Sequence, residues 1–326
     1  MGNKVSPRLE DVPPPPVEDS YQLHSEDKKR TIWCKQWKPN NIEKARCMLY
    51  ICHGLGEHIM VYDELAKLFA QKYDAIVFGH DHVGHGRSSG EPRCYMESLN
   101  ILEQDMAMHI DEVYKKYHTN QEKLPLFVFA HSMGGAVSLL YMIRRQVDQR
   151  YPGGLRGGLM LMGPLISLSQ ASLVLQAKQY ITKIVRPILP SWVPVTQLPF
   201  EDCVSEPSVA EEFNRDPLRY HGWIHMGTAC AMLDAIDEIH KGVKSFETPF
   251  FISHGSADKL CCVKASRKFA EDAPAKVKIC KIYENGAHCL LHEFSSGIRE
   301  RLLKDLFEWM DMRFKELQAL AAPKKE

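Results

Sequence analysis

Residues 126–136 read Leu126-Phe127-Val128-Phe129-Ala130-His131-Ser132-Met133-Gly134-Gly135-Ala136: an apolar run, then small residues, then a helical period that continues to Gln149. An apolar run without polar alternation is what a strand buried on both faces requires. The helical period follows with almost no residues to spare, so strand turns sharply into helix at Ser132. Such a strand–turn–helix unit belongs to a mainly parallel sheet covered by helices.

The same pattern recurs on either side. Cys47 to Cys52, Ala75 to Gly79, Leu159 to Met162, Pro249 to Ser253 and, less purely, Val277 to Tyr283 are further apolar runs. Thr31 to Trp37 alternates apolar and polar residues, as an outer antiparallel strand does. Helical periods fall between them at Tyr62–Gln71, Ile101–Tyr117, Val263–Asp272 and Ile298–Leu320. The expected class is therefore α/β. The rhythm stops between residues 164 and 246, where no clean strand is expected and the sequence is helical, apolar and broken by prolines. An insertion of about eighty residues in an open sheet is usually a lid or cap. The apolar stretch Leu165–Val195 favours one that faces a lipid. The expected organisation is an N-terminal segment over 1–20, a core over 21–163 and 247–316, a cap over 164–246, and a tail over 317–326.

Composition excludes several classes. The 326 residues carry 41 basic and 41 acidic side chains, a net charge of zero, which argues against a nucleic-acid partner. With 44% hydrophobic residues the chain can fill a sizeable core. The ten cysteines are scattered, most within apolar runs, and fit reduced buried thiols better than a disulfide framework. Met1-Gly2-Asn3-Lys4-Val5-Ser6 fits the pattern for myristoylation of Gly2.

A serine on a tight strand-to-helix turn is the arrangement encoded by G-x-S-x-G. Gly86-Arg87-Ser88-Ser89-Gly90 matches the letters, but no strand leads directly into it and Glu91-Pro92 follows where the helix should begin. The context is right at Ser132, with Ala130 in place of the first glycine. A serine hydroxyl needs a histidine to take its proton and a carboxylate to orient that histidine. Asp258 follows the strand ending at Ser253, and His288 follows the strand ending at Tyr283. All three candidates thus stand just after strands, in the order Ser, Asp, His. Oxyanion donors are expected from the backbone N–H of Met133, at the helix start, and of Leu55, in the glycine-containing turn after Cys52. His80-Asp81-His82-Val83-Gly84-His85 invites a metal, yet it lacks the terminal Asp-His pair of a binuclear site and reads better as a structural loop. His292 is a second candidate base, a turn farther from the strand end.

His53-Gly54-Leu55-Gly56-Glu57-His58, Gly79-His80-Asp81-His82-Val83-Gly84-His85-Gly86, His131-Ser132-Met133-Gly134-Gly135 and Gly255-Ser256-Ala257-Asp258 resemble the monoacylglycerol lipases, and the likeness runs from about residue 20 to 316. The resemblance implies an α/β-hydrolase fold with a helical cap over an acyl tunnel. It implies hydrolysis of a monoacylglycerol to fatty acid and glycerol without a cofactor, by Ser132, Asp258 and His288 with the Leu55 and Met133 amides. It also implies a cap seated on membranes, hence a cytoplasmic, peripherally membrane-associated protein. Glu57 is retained and is expected to hold a headgroup hydroxyl. The mammalian enzymes carry alanine at Leu55, arginine at Val61 and histidine at Leu291, so recognition of glycerol is the part the departures weaken. Competing readings are a lysophospholipase or broad carboxylesterase, a lipid-binding module without turnover, and a metal-dependent hydrolase. Cys261, Cys262 and Cys289 flank Asp258 and His288 and read as small packing residues.

Overall fold

The computed structural model describes residues 19–25, 28–117, 124–145, 157–169 and 191–321. Its strands are β1 (Ser20–His24), β2 (Thr31–Trp37), β3 (Cys47–Cys52), β4 (Ala75–His80), β5 (Leu126–His131), β6 (Gly158–Met162), β7 (Pro194–Gln197), β8 (Trp223–His225), β9 (Phe250–Gly255) and β10 (Lys278–Tyr283). Its α-helices are α1 (Asp63–Tyr73), α2 (Asn100–Tyr117), α3 (Met133–Arg145), α4 (Pro207–Arg215), α5 (Met226–Gly242), α6 (Val263–Asp272) and α7 (Ile298–Ala321). Eight strands form one sheet in the order β1-β2-β4-β3-β5-β6-β9-β10. From β4 to β10 all pairings are parallel, and β2 runs antiparallel to both β1 and β4.

The apolar runs become the buried middle of this sheet because helices cover both faces. Successive residues of β3 divide between the two layers: Met48, Tyr50 and Cys52 pack with α2, α3 and α5, while Cys47, Leu49 and Ile51 pack with α1 and α7. Each fully buried apolar side chain of this kind contributes about 1.5–3 kcal/mol. Because β3, β5, β9 and β10 are parallel, the loops that leave them emerge along one edge of the sheet.

Three strands depart from expectation. β1 pairs with β2 at the sheet edge and makes β2 an interior strand. Between residues 164 and 246, where no strand was expected, β7 and β8 form a separate antiparallel pair. At four and three residues, with a register irregularity at Pro194–Thr196, they are too short to set a period. α3 begins at Met133, three residues before its apolar period does. α5 lies against α3, pinned by Arg144, which donates to both carboxylate oxygens of Glu238 at 2.7 Å. Gly2, Pro13–Pro16, most of Leu165–Val195 and the end of the tail lie outside the described residues. Among the described residues no helix is long and apolar enough to cross a membrane.

Candidate active site

Ser132 sits between β5 and α3 with φ +52°, a left-handed backbone that costs a non-glycine residue about 1–3 kcal/mol. The turn is over-determined. The Ser132 N–H donates to Met162 O at 3.1 Å, and its carbonyl accepts from Gly135 at 2.9 Å and Leu165 at 2.9 Å. Gly134 explains the small residue after the turn, since a side-chain carbon there would collide with the Cys52 and His53 carbonyl oxygens. α3 therefore presses directly on the end of β3, and the loop after β3 is held against the serine.

That loop and the loops after β9 and β10 complete the site. His288 Nδ1 donates to Asp258 Oδ2 at 2.7 Å. The other oxygen, Oδ1, accepts from the Leu260 and Cys261 amides at 2.8 and 2.9 Å. His254, a residue the sequence reading missed, adds Nε2 to Asp258 Oδ2 at 3.1 Å, while its Nδ1 meets Ser266 Oγ at 2.8 Å. Among the described residues His254 Nε2 faces only acceptors, Asp258 Oδ2 and, at 3.3 Å, the Cys261 carbonyl, so it carries the proton and the Ser266 hydroxyl donates to Nδ1. Burial alone would raise the Asp258 pKa, but the charge of His288 and the bonds from His254 and His288 hold it far below the usual carboxylate range. Burial likewise opposes a charged His288, yet the charge and hydrogen bond of Asp258 outweigh it and push the imidazole up to about 9.

Ser132, His288, Leu55 and Met133 line one cavity of about 450 Å³ whose walls are mostly apolar. Met133 is the first residue of α3, so its amide has no intrahelical acceptor. Glu57 is buried at the polar end. Its Oε2 accepts from the Gly54 amide at 2.7 Å, Tyr62 Oη at 2.7 Å and His131 Nδ1 at 3.1 Å. A side-chain carbon at Gly54 would lie 3.0 Å from Glu57 Oε2 and 3.2 Å from Ser132 Cβ, which places this carboxylate beside the serine. Burial would raise the Glu57 pKa, but His131 and Arg219 hold it well below the ordinary value. Arg219, also missed from sequence, lines the same cavity with its side chain only 3% exposed.

Other candidates fall elsewhere. Neither Val61 nor Leu291 lines the cavity, and both pack in the layer with α1 and α7. His292 is half-buried against Phe213, and desolvation lowers its pKa to about 4. The His80–His85 run is a structural network: Asp81 accepts from the Ile59 and Arg87 amides at 2.7 Å each, and His80 Nδ1 meets Tyr50 Oη at 3.2 Å and His109 Nδ1 at 3.0 Å. Glu57, His131 and Cys289 bring possible ligand atoms within 4.8 Å of one another, but the Glu57–His131 hydrogen bond already occupies two of them. All ten cysteines are free thiols. Cys261 and Cys289 face the cavity, and both thiols are pushed well up, Cys261 by burial and Cys289 chiefly by its bond with Cys203.

Comparison with known proteins bears on the family and the fold. The family model described as serine aminopeptidase, S33, matches residues 43–295. The monoglyceride lipase of Rattus norvegicus is 30% identical over 90% of this chain and 90% of its own length. That of Homo sapiens is 31% identical over 86% and 87%. Among solved structures, a soluble variant of monoglyceride lipase from Saccharomyces cerevisiae, in complex with a substrate analog, superposes with TM-score 0.75 at 20% identity, covering 93% of this chain and 99% of that one.

Proposed function

Because the chain belongs to the serine aminopeptidase S33 family of α/β-hydrolases, in its monoacylglycerol lipase-like group, we propose that it cleaves monoacylglycerols to fatty acid and glycerol through an acyl-enzyme. The observation that carries the reading is the 2.7 Å His288–Asp258 hydrogen bond, opening on a largely apolar cavity shared with a serine held at φ +52°.

In this reading Ser132 Oγ attacks the ester carbonyl while His288 Nε2 takes its proton. The Leu55 and Met133 amides hold the oxyanion, and the dipole of α3 adds to them. His288 then gives the proton to the leaving glycerol oxygen. Water, deprotonated by the same imidazole, releases the fatty acid. Asp258 keeps the imidazole in the required tautomer and stabilises its charged form, and Glu57 receives a headgroup hydroxyl. The apolar walls take the acyl chain, whose burial is worth about 0.8 kcal/mol per methylene.

The cap over residues 164–246 and its seat on a membrane belong to the same proposal. Trp192, just before β7, and Trp223, the first residue of β8, are 64% and 46% exposed, and exposed tryptophan is favoured at a lipid–water boundary. A myristoylated Gly2 would supply a second anchor, since one chain alone binds only marginally. Free thiols throughout fit a cytoplasmic setting. Liposome flotation tests this part: replacement of both tryptophans by alanine together with Gly2→Ala should abolish co-flotation, and undiminished binding would overturn it.

Hydrolysis is tested with 2-oleoylglycerol, and with a fluorophosphonate probe that labels activated serines. Ser132→Ala should lose the label and lower turnover by about 10⁴–10⁶-fold. Near-normal hydrolysis by that variant would remove Ser132 from the mechanism.

A further inference from the structure

The guanidinium of Arg219 is buried without a hydrogen bond. Its nearest carboxylate oxygens are Glu57 Oε1 at 3.6 Å from Nη1 and Asp216 Oδ2 at 3.8 Å from Nε, and no side-chain hydrogen bond joins Arg219 to any described residue. Asp216 already receives His58 Nε2 at 2.8 Å. The Arg219 Cζ lies over the Phe213 ring, 3.7 Å from its centroid, and the N–H groups of the planar guanidinium point outward in its own plane. Opposite them, among the described residues, Glu57 takes three donors on Oε2 and none on Oε1. An acceptor without a donor and a donor without an acceptor thus face each other on the wall of the cavity that holds Ser132.

A buried guanidinium left this way is costly unless something fills the gap. The filler must accept from Arg219 and donate to Glu57 Oε1. A hydroxyl does both. A phosphate monoester, mostly dianionic at neutral pH, can then only accept, and here it would also meet the negative charges of Glu57 and Asp216. We propose that Arg219 is a specificity-determining residue which, with Glu57 Oε1, clasps a hydroxyl of the leaving alcohol and selects neutral polyol esters over phosphorylated ones. The assignment rests on the ester-hydrolase reading above. It also supplies a polar headgroup contact in a chain whose Val61 and Leu291 face the core.

The test compares 2-oleoylglycerol, methyl oleate and oleoyl lysophosphatidic acid, which share one acyl chain and differ in the alcohol. Arg219→Gln should lower kcat/KM for 2-oleoylglycerol about 10–100-fold, mainly through KM, by loss of a charged hydrogen bond. Methyl oleate, with no hydroxyl to hold, should change by less than about threefold, and wild-type enzyme should cleave the lysophosphatidic acid least well relative to it. Arg219→Lys keeps the charge beside Glu57 but not the planar fork, and should fall between. The rate of fluorophosphonate labelling reports whether each variant keeps its active site. Equal losses on glyceride and methyl ester, or none on either, would overturn the role of Arg219 while leaving hydrolysis intact. A wild-type enzyme that cleaves none of the esters and takes no label would instead overturn the ester-hydrolase reading.

Discussion

At the scale of single residues, His288 and Asp258 set the pH behaviour. His288 must be neutral to accept the serine proton, yet Asp258, against the effect of burial, pushes its pKa up to about 9. The neutral form is therefore favoured only as pH rises, and kcat/KM should climb with pH towards about 9. Asp258→Asn removes the charge, so the limb should move to lower pH while turnover falls by about 10⁴-fold, the scale of an imidazole held in the wrong tautomer. A pH–rate profile whose limb stays in place would contradict the pairing. The stability sign runs the other way. A raised histidine pKa contributes fully below the unfolded value of about 6.5 and fades as pH rises through about 9. Ser132, Asp258 and His288 were legible because each follows an apolar run. Arg219 and His254 were not: what they do comes from Glu57 and from Asp258 and Ser266, and no local pattern marks such contacts.

At the scale of elements, the junction of β5 and α3 has the least slack. Gly134→Ala would force α3 away from the carbonyls of Cys52 and His53 and carry the Met133 amide with it. Thermal unfolding should register about 1–3 kcal/mol of destabilisation, as overpacking does. Hydrolysis should fall further than the lost folded fraction explains, and equal losses would mean that the serine and its amide are not moved. The central strands could be read from sequence because burial on both faces leaves continuous apolar runs. β1, β7 and β8 could not, since a short, half-exposed strand has no side-chain period to show, and its pairing is decided by a partner elsewhere in the chain.

At the scale of the whole molecule, a network of neutral histidines ties β4 to its neighbours. His53, His80, His82, His85 and His109 are buried, and desolvation lowers the pKa of all five, to about 3 for His82 and His109 and about 4 for His85. Unfolding lets each take a proton near pH 6.5. The contribution of these five is therefore complete above that value and should be lost as pH drops towards 3–4, each histidine adding about 1.4 kcal/mol per pH unit to the slope. Urea midpoints between pH 7 and 4 measure it, and His109→Gln should flatten the slope by one proton; an unchanged slope would show that His109 is already charged in the folded protein. The division of labour across the chain has a consequence of another kind. Ser132, Asp258 and His288 hang from the sheet, whereas Asp216 and Arg219 lie on the stretch between β6 and α5. After a gene duplication, one copy could drift along that stretch and acquire a new diet of alcohols while inheriting its proton chemistry unaltered.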